Sequence, residues 1–310
     1  MPDFHEISRR RFLAQSAALA AAASLPLASC AEESMRTRRI PGTDEALPVV
    51  GLGAPLPFVE LPPEGRDLPK ALIQTMVDMG GRLIDTPAFF RPDVPVIGEL
   101  LTEMGLQQEL FLTGKITVNG KEEGIAHLEK TVANLNKRPM DLLMVHNMRE
   151  MDLHWPTLKE WQAAGRVRYI GVSLARTTDY SQLEGFMKAE RPDFIMVRYS
   201  IHHPHSGERI LPLAEDSGIA VIGVEAFKTN DDGGFFGLVA GKQLPQWAAE
   251  FDCESWAQFS LKYMLSNPAL TCVVTETSKV KHVVDNMRAG YGRLPDMATR
   301  QRMREHVLSL

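Results

Sequence analysis

Short apolar stretches alternate with longer polar segments along most of the chain, and three of these stretches end in an ionisable residue. The residues are a carboxylate at Asp85, an amine at Lys115 and an imidazole at His146, which follow one another at steps of 30 and 31 residues. Each step has room for one strand, one helix and two short loops, which is the repeating unit of a (β/α)8 barrel. Because such barrels hold their chemistry at the carboxyl ends of the strands, the pattern predicts these three side chains on one rim.

The other predicted elements complete one barrel. Residues 40–53 carry the turn residues of a short β-hairpin that leads into a first strand at Val49. Apolar residues at helical spacing predict a helix over residues 67–79, and aromatic residues after Trp256 at the same spacing predict a helix that faces the core. Further strands are predicted at residues 169–173, 194–198, 220–224 and 272–275. Together these elements predict a (β/α)8 TIM barrel with an N-terminal β-hairpin.

Composition and charge restrict the classes of function. The 310 residues, 44% of them hydrophobic, suffice for one large domain with a substantial core. The formal net charge is −5 and the body of the chain has no block of Lys or Arg, which argues against nucleic acid as a partner. Cys253 and Cys272 either form a disulfide or are two buried small apolar residues, and the second interpretation is favoured.

The start of the chain has the layout of a bacterial twin-arginine signal peptide. Residues 8–13 read Ser-Arg-Arg-Arg-Phe-Leu, and an uncharged, alanine-rich apolar run follows them. This run is shorter than the roughly 20 residues that span a membrane. Leu-Ala-Ser-Cys at residues 27–30 resembles a lipobox, in which Cys30 carries a lipid, and the alternative is an ordinary cleavage region of small residues. The sequence therefore predicts a periplasmic protein that contacts the membrane only through a lipid on Cys30.

The predicted boundaries follow from this layout. Residues 1–30 form the signal peptide, residues 31–39 a short linker and residues 40–310 the barrel. Removal of residues 1–29 takes away three of the 34 basic and two of the 39 acidic residues, which leaves a net charge of −6. The mature protein is predicted to be acidic and soluble.

Four motifs in this order resemble the successive signatures of the aldo-keto reductases. They are Gly-Arg-Leu-Ile-Asp-Thr at 81–86, Thr-Gly-Lys at 113–115, Met-Asp-Leu-Leu-Met-Val-His at 140–146 and Arg-Tyr-Ile-Gly-Val-Ser at 168–173. The resemblance runs from about residue 40 to residue 288. It implies a nicotinamide cofactor, NADP, lying across the strand ends, and a small carbonyl or alcohol substrate.

The resemblance also implies a tetrad of Asp, Tyr, Lys and His, of which Asp85, Lys115 and His146 match three members. In such a tetrad the Tyr hydroxyl donates the proton, the Lys ammonium lowers its pKa and the His hydrogen-bonds the carbonyl oxygen. The fourth position, five residues after Asp85, is Phe90. Phenylalanine keeps the ring and removes the proton donor, and the loss of a general acid typically costs about 10² to 10⁴ in rate.

The positions that hold the nicotinamide in the family match only in part. Ser173 stands where the family has a Ser that helps hold the carboxamide, but the following Asn is replaced by Leu174. The carboxamide-binding Gln of the next strand is Met196, and Val224 takes the place of a stacking aromatic residue. Each lost hydrogen bond costs about 1 kcal/mol. Weak binding of NADP is therefore predicted.

The phosphate end of the cofactor site is better populated. Residues 275–279 occupy the family's adenosine-phosphate loop at the start of a helix, and Glu276 within that loop works against a phosphate. An ordinary helix cap made by a hydroxyl is the alternative for this loop. The residues predicted to contact the phosphates or the adenosine are Lys228, Thr277, Ser278, Lys279 and Asn286.

Three histidines follow strand six, at His202, His203 and His205, on the predicted rim. Imidazoles could bind Zn or Cu there, but their spacing is not that of a known metal motif. A solvated polar loop is the favoured interpretation, and no metal site is assigned.

Two functions follow from the sequence. The first is an exported oxidoreductase that acts on a small carbonyl or alcohol with NADP, in which His146, Lys115 or water supplies the proton that Phe90 cannot. The second is a non-catalytic barrel whose rim binds a ligand or partner. Sugar chemistry by paired carboxylates would have only Asp85 and Glu225 to offer, and nothing in the sequence pairs them.

Overall fold

Eight parallel strands close into a barrel in the computed structural model, which describes residues 34–53, 65–86, 96–175, 177, 179–229 and 233–310. Each barrel strand pairs with the next one along the chain, and the last pairs with the first. The strands are β3 (Val50–Gly53), β4 (Leu83–Asp85), β5 (Phe111–Ile116), β6 (Met140–His146), β7 (Val167–Leu174), β8 (Phe194–Arg198), β9 (Ala220–Val224) and β10 (Cys272–Glu276). This arrangement confirms the predicted TIM barrel.

Helices follow the strands around the outside of the barrel. The α-helices are α1 (Asp67–Asp78), α2 (Val96–Met104), α3 (Lys121–Leu135), α4 (Met151–Ala163), α5 (Ser181–Glu190), α6 (Ser206–Ser217), α7 (Gly234–Leu238), α8 (Trp256–Leu265), α9 (Val280–Arg288) and α10 (Met297–Leu308), with a 3-10 helix at Gln246–Phe251. The predicted helix at 67–79 and the core-facing helix after Trp256 are confirmed as α1 and α8. Among the described helices, none is long and apolar enough to cross a membrane.

A short antiparallel hairpin, β1 (Thr37–Arg39) and β2 (Ala46–Pro48), precedes the barrel and confirms the predicted N-terminal hairpin. Its first strand lies within residues 31–39, the segment predicted to be a short linker. The chain divides into Met1–Ser34 and Met35–Leu310, and the hairpin belongs to the second unit. The Arg38 guanidinium, which donates to backbone carbonyls that include Asn267 O at 2.8 Å, ties β1 to the barrel.

Alternation along each strand divides the core into two layers. On β6, Leu142 and Met144 face the inside of the barrel, whereas Leu143 and Val145 pack against the outer helices. The inner layer is closed at the amino ends of the strands by Ile40, which packs in the same cluster. Alternation of this kind fixes the direction of each residue at a strand end.

The two described cysteines are free and buried, as the favoured interpretation predicted. Burial raises the pKa of the Cys253 thiol to about 12 and raises the pKa of Cys272 further. Both residues therefore behave as small apolar side chains.

Candidate functional site

The carboxyl ends of the strands carry an inward-facing ring of polar residues. Alternation from Leu83 directs Asp85 inward, and alternation from Met144 directs His146 inward. Lys115 also reaches this ring, because its amine contacts Asp85. The three residues that the sequence predicts on one rim therefore lie on one rim.

Lys115 and Asp85 form a buried ion pair. Lys115 Nζ lies 2.5 Å from Asp85 Oδ1 and also donates to the carbonyl oxygen of Thr86 at 2.6 Å. The side chains of Lys115 and Asp85 are only 4% and 11% exposed. Thr113 Oγ1 donates a further hydrogen bond to Asp85 Oδ1 at 2.5 Å. These charge-assisted contacts fix the ammonium in one position at the mouth of the barrel.

His146 is held by the next strand. A hydrogen bond of 2.8 Å joins His146 Nδ1 to Ser173 Oγ, and the two residues are partners in the β6–β7 register. Ser173 is buried. The hydroxyl that the resemblance assigns to the carboxamide therefore also orients the imidazole.

The nicotinamide end of the site offers few hydrogen-bond donors. Met196 is the register partner of Ser173 on β8, is 3% exposed and packs in the inner apolar layer. Val224, at the end of β9, packs against the same layer. Neither side chain can donate a hydrogen bond to an amide. Of Ser173, Met196 and Val224, Ser173 is the residue whose side chain can donate a hydrogen bond to the carboxamide. The residues therefore fit a nicotinamide ring only in part.

Two of the residues predicted at the phosphate end take part in local structure. Asn286 is buried, and its Nδ2 donates to Thr275 Oγ1 at 3.1 Å, which ties α9 to β10. Thr277 Oγ1 accepts from the backbone N–H of Lys279 at 3.2 Å and is hydrogen-bonded to His282 Nδ1 at 3.3 Å. The contacts of Thr277 belong to the turn before α9, whose N-cap residue is Lys279 and has no capping hydrogen bond from a side chain.

Three predicted phosphate ligands remain accessible. Ser278, Lys279 and Lys228 are exposed, and the first two lie directly before α9. A helix N-terminus beside a hydroxyl and two ammonium groups suits an anion. The phosphate end therefore fits a dinucleotide better than the nicotinamide end does.

Glu276, predicted from the sequence only to oppose a phosphate, lies on the same rim. It follows Cys272 and Val274 on β10, both of which face inward, so Glu276 faces the mouth of the barrel. Glu276 is exposed as a residue, yet desolvation by surrounding protein atoms, followed by repulsion from Asp85, raises the pKa of its carboxyl. Alternation along β10 is the sequence signal that could have identified it.

A second ion pair lies on the same rim and was also missed. The Arg198 guanidinium, at the end of β8, donates through Nε to the Glu225 carboxylate, directly after β9. Glu225 has a positive φ of 61°, which is uncommon for a residue with a side chain. Glu225, one of the two carboxylates that sugar chemistry would use, is thus bound to Arg198.

The three histidines after β8 do not converge. His203 is buried and its backbone N–H donates to Ser200 Oγ, whereas His205 is exposed. The ring of His202 packs edge-on to Phe235 with centroids 6.1 Å apart. Desolvation and the neighbouring Arg198 guanidinium lower the pKa of His203. Within the described residues, no group of three His, Cys, Asp or Glu side chains could hold a metal ion.

Phe90, the predicted replacement of the tetrad tyrosine, lies outside the described residues. Its identity as phenylalanine is a fact of the sequence. Its role in the site stays a prediction.

The packing of Glu276 over Gly53 gives a testable prediction. A Cβ added to Gly53 would stand 2.7 Å from Glu276 Cγ, and its three nearest neighbours all belong to Glu276. Gly53→Ala should therefore destabilise the protein by about 1–3 kcal/mol through overpacking. In a Glu276→Ala background the same change should cost less than about 0.5 kcal/mol, measured by denaturation of all four variants.

Gly51→Ala is the matched control. A Cβ there would stand 2.8 Å from the backbone oxygen of Leu83, so Glu276→Ala should not relieve it. Additive effects of Gly53→Ala and Glu276→Ala would show that the two residues are not in contact.

The chain is similar to a known protein family and to several solved structures. The profile of the aldo/keto reductase family matches residues 66–302. Aldo-keto reductase AKR11C1 from Bacillus halodurans superposes with a TM-score of 0.67 at 18% identity, over 88% of this chain and 96% of that one. Aldose reductase from Schistosoma japonicum gives 0.64 at 19% identity, over 84% and 89% of the two chains. No curated protein matches the sequence significantly. The solved structures share the fold of this chain.

Proposed function

The chain belongs to the aldo/keto reductase family, and from that premise we propose that it is an exported oxidoreductase that interconverts a small carbonyl compound and its alcohol with NADP. The observation that carries this proposal is the buried Asp85–Lys115 pair on the same rim as His146. A barrel that served only as a scaffold would have no need of this pair, because a buried ion pair is often no more stabilising than well-packed apolar residues of similar volume.

The chain's own residues would handle the charge and the proton. When bound, NADPH supplies a hydride to the carbonyl carbon of the substrate. His146 would donate a hydrogen bond to the carbonyl oxygen, where negative charge grows, and the Lys115 ammonium would stabilise the same charge. With Phe90 in place of tyrosine, the proton comes from His146, from Lys115 Nζ or from water, and turnover is slow.

NADP is held through the residues that fit it. Ser173 would hold the carboxamide, and Lys228, Ser278 and Lys279 would hold the phosphates. Because Met196 offers no donor, we expect dinucleotide affinity well below that of family members with the full donor set, at about 1 kcal/mol for each hydrogen bond lost. Calorimetric titration should show NADP binding more tightly than NAD, through Lys279. Submicromolar binding of either nucleotide would contradict this account of the pocket.

The leader sequence supports a location of this chemistry outside the cytoplasm. We propose a periplasmic lipoprotein exported by the twin-arginine route, with a small molecule as substrate, no nucleic-acid partner and a membrane contact only through Cys30. That route carries folded proteins, so a cofactor could be loaded before export. Absorbance and mass spectrometry of the exported protein test this directly, and we expect substoichiometric dinucleotide to co-purify.

A non-catalytic, ligand-binding barrel is the second candidate. The apolar Met196 and Val224 favour it, because they leave the nicotinamide position without amide partners. It becomes the better account if a dinucleotide binds and no carbonyl compound is turned over.

A further inference from the structure

Glu276 stands in one row with two other residues across the mouth of the barrel. In the strand register, Gly53 on β3 pairs with Glu276 on β10 and also with Asp85 on β4. Side chains at matched positions of parallel strands point the same way, and neighbouring strands lie about 4.8 Å apart. Because Gly53 has no side chain, the row has a gap between the two carboxyl groups, and Glu276 Cγ fills this gap.

Charged groups face the Glu276 carboxyl from several elements. They are Asp85 on β4, Lys115 on β5, Glu225 after β9 and Lys228 in the following loop. Lys115 is bound to Asp85, and Glu225 is bound to Arg198. An approaching anion therefore meets the Glu276 carboxylate beside the exposed Lys228.

On the basis of the proposed function, we propose that the charge of Glu276 controls how tightly the dinucleotide binds. As a carboxylate, Glu276 repels the phosphates and weakens their binding to the loop at residues 277–279. As a neutral carboxylic acid, it no longer opposes their binding. It is a specificity-determining residue, and it acts on binding rather than on hydride transfer. Repulsion by this one carboxylate lowers the affinity in addition to the missing hydrogen-bond donors, and neutralisation of Glu276 restores that part of the affinity.

The sign of the pH dependence follows from the environment of the group. Desolvation and repulsion from Asp85 raise the pKa of Glu276, so it becomes neutral at a higher pH than an ordinary glutamate. The repulsion is fully present above this raised pKa and is lost as the pH falls through it. Affinity for NADP should therefore rise on acidification, by at most about tenfold for each pH unit.

The test compares the mature wild-type protein with Glu276→Gln, which keeps the shape and removes the charge. NADP⁺ is the probe because the oxidised form survives acid, and its dissociation constant is measured between pH 5 and pH 8. At pH 8 the variant should bind at least about tenfold more tightly, equivalent to 1.4 kcal/mol. The difference between the two proteins should shrink as the pH falls towards 5, because the Glu276 pKa is raised. Titration of the phosphates of NADP⁺ is common to both proteins and cancels in the ratio.

Controls separate charge from shape. Glu305→Gln removes an exposed carboxylate on α10 and should bind NADP⁺ as the wild type does. The ratio between wild type and Glu276→Gln should shrink in about 1 M salt, where the Debye length falls to about 3 Å. A ratio that changes with neither pH nor salt would show a steric effect and overturn the proposal.

Two further outcomes distinguish the role of Glu276 from the use of NADP. Measurable binding with equal affinity for both proteins at every pH would overturn the role of Glu276 and leave the oxidoreductase proposal standing. Absence of binding by both proteins at millimolar NADP⁺ would overturn the role of Glu276 and the use of NADP together.

Discussion

Phe90→Tyr should raise the turnover of a reactive test aldehyde with NADPH at least about tenfold, equivalent to 1.4 kcal/mol of barrier. The substitution restores a hydroxyl five residues after Asp85, and it adds only one oxygen to the ring. The Lys115 ammonium, held 2.5 Å from Asp85, would lower the pKa of that hydroxyl and so make it a proton donor near neutral pH. Steady-state kinetics at saturating NADPH is the measurement.

The gain from Phe90→Tyr should depend on the ammonium. Lys115→Met in the Phe90→Tyr background should remove it, and Asp85→Asn added to that variant avoids a buried unpaired carboxylate, which alone could cost about 3–5 kcal/mol of stability. Flat turnover while NADPH binds would show that the tetrad geometry is absent. A fast wild-type enzyme would show instead that another group donates the proton.

Replacement of the paired arginines by lysine should abolish export of the folded protein. Arg9→Lys with Arg10→Lys removes the pair that defines the twin-arginine signal, while it keeps the charge of the segment. Fractionation of cells should then find the protein in the cytoplasm. Cys30→Ala alone should leave export intact and release the mature protein from the membrane fraction.

Two arginines beyond the leader provide the matched control for export. Arg36→Lys with Arg39→Lys makes the same chemical change in the barrel unit and should leave the protein in the periplasm. Cytoplasmic retention of the unmutated protein would contradict the assignment of the leader.

Strand alternation explains why the shared rim of Asp85, Lys115 and His146 could be predicted. Leu142, Met144 and His146 alternate with residues that face the helices, and this period of two is visible in the sequence. When the residues two and four positions before a strand end face the inside of the barrel, the side chain at that end points into the mouth of the barrel. The approximate step of 30 residues then brings the three ends to one rim.

Contacts between distant strands could not be predicted in the same way. Glu276 belongs to an inward series on β10, but its packing over Gly53 depends on closure of the barrel by β10 and β3. The Arg198–Glu225 pair likewise depends on the register of β8 and β9. Sequence spacing alone does not give the register that joins two strands.

Phosphate ligands near the start of a helix are difficult to predict from sequence for a different reason. A hydroxyl or amide there can bind a phosphate or complete the helix, and the sequence pattern is the same in both cases. In the structure Asn286 and Thr277 bond to neighbouring residues, whereas Ser278 and Lys279 stay exposed. The start of the hairpin at Thr37 could not be predicted either. The run Thr37–Arg39 is polar, and the carbonyl groups that bind the Arg38 guanidinium lie far along the chain.

Transfer of deuterium is the measurement that tests the central claim most directly. The mature wild-type protein is incubated with NADPH carrying deuterium at the reactive ring carbon and with a small aldehyde, and the alcohol is analysed by mass spectrometry. We expect deuterium at the alcohol carbon, at a rate that falls by at least about 10² in Lys115→Met with Asp85→Asn. Absence of deuterium in the alcohol while the protein demonstrably binds NADPH, or an undiminished rate in that variant, would contradict an oxidoreductase built on this rim.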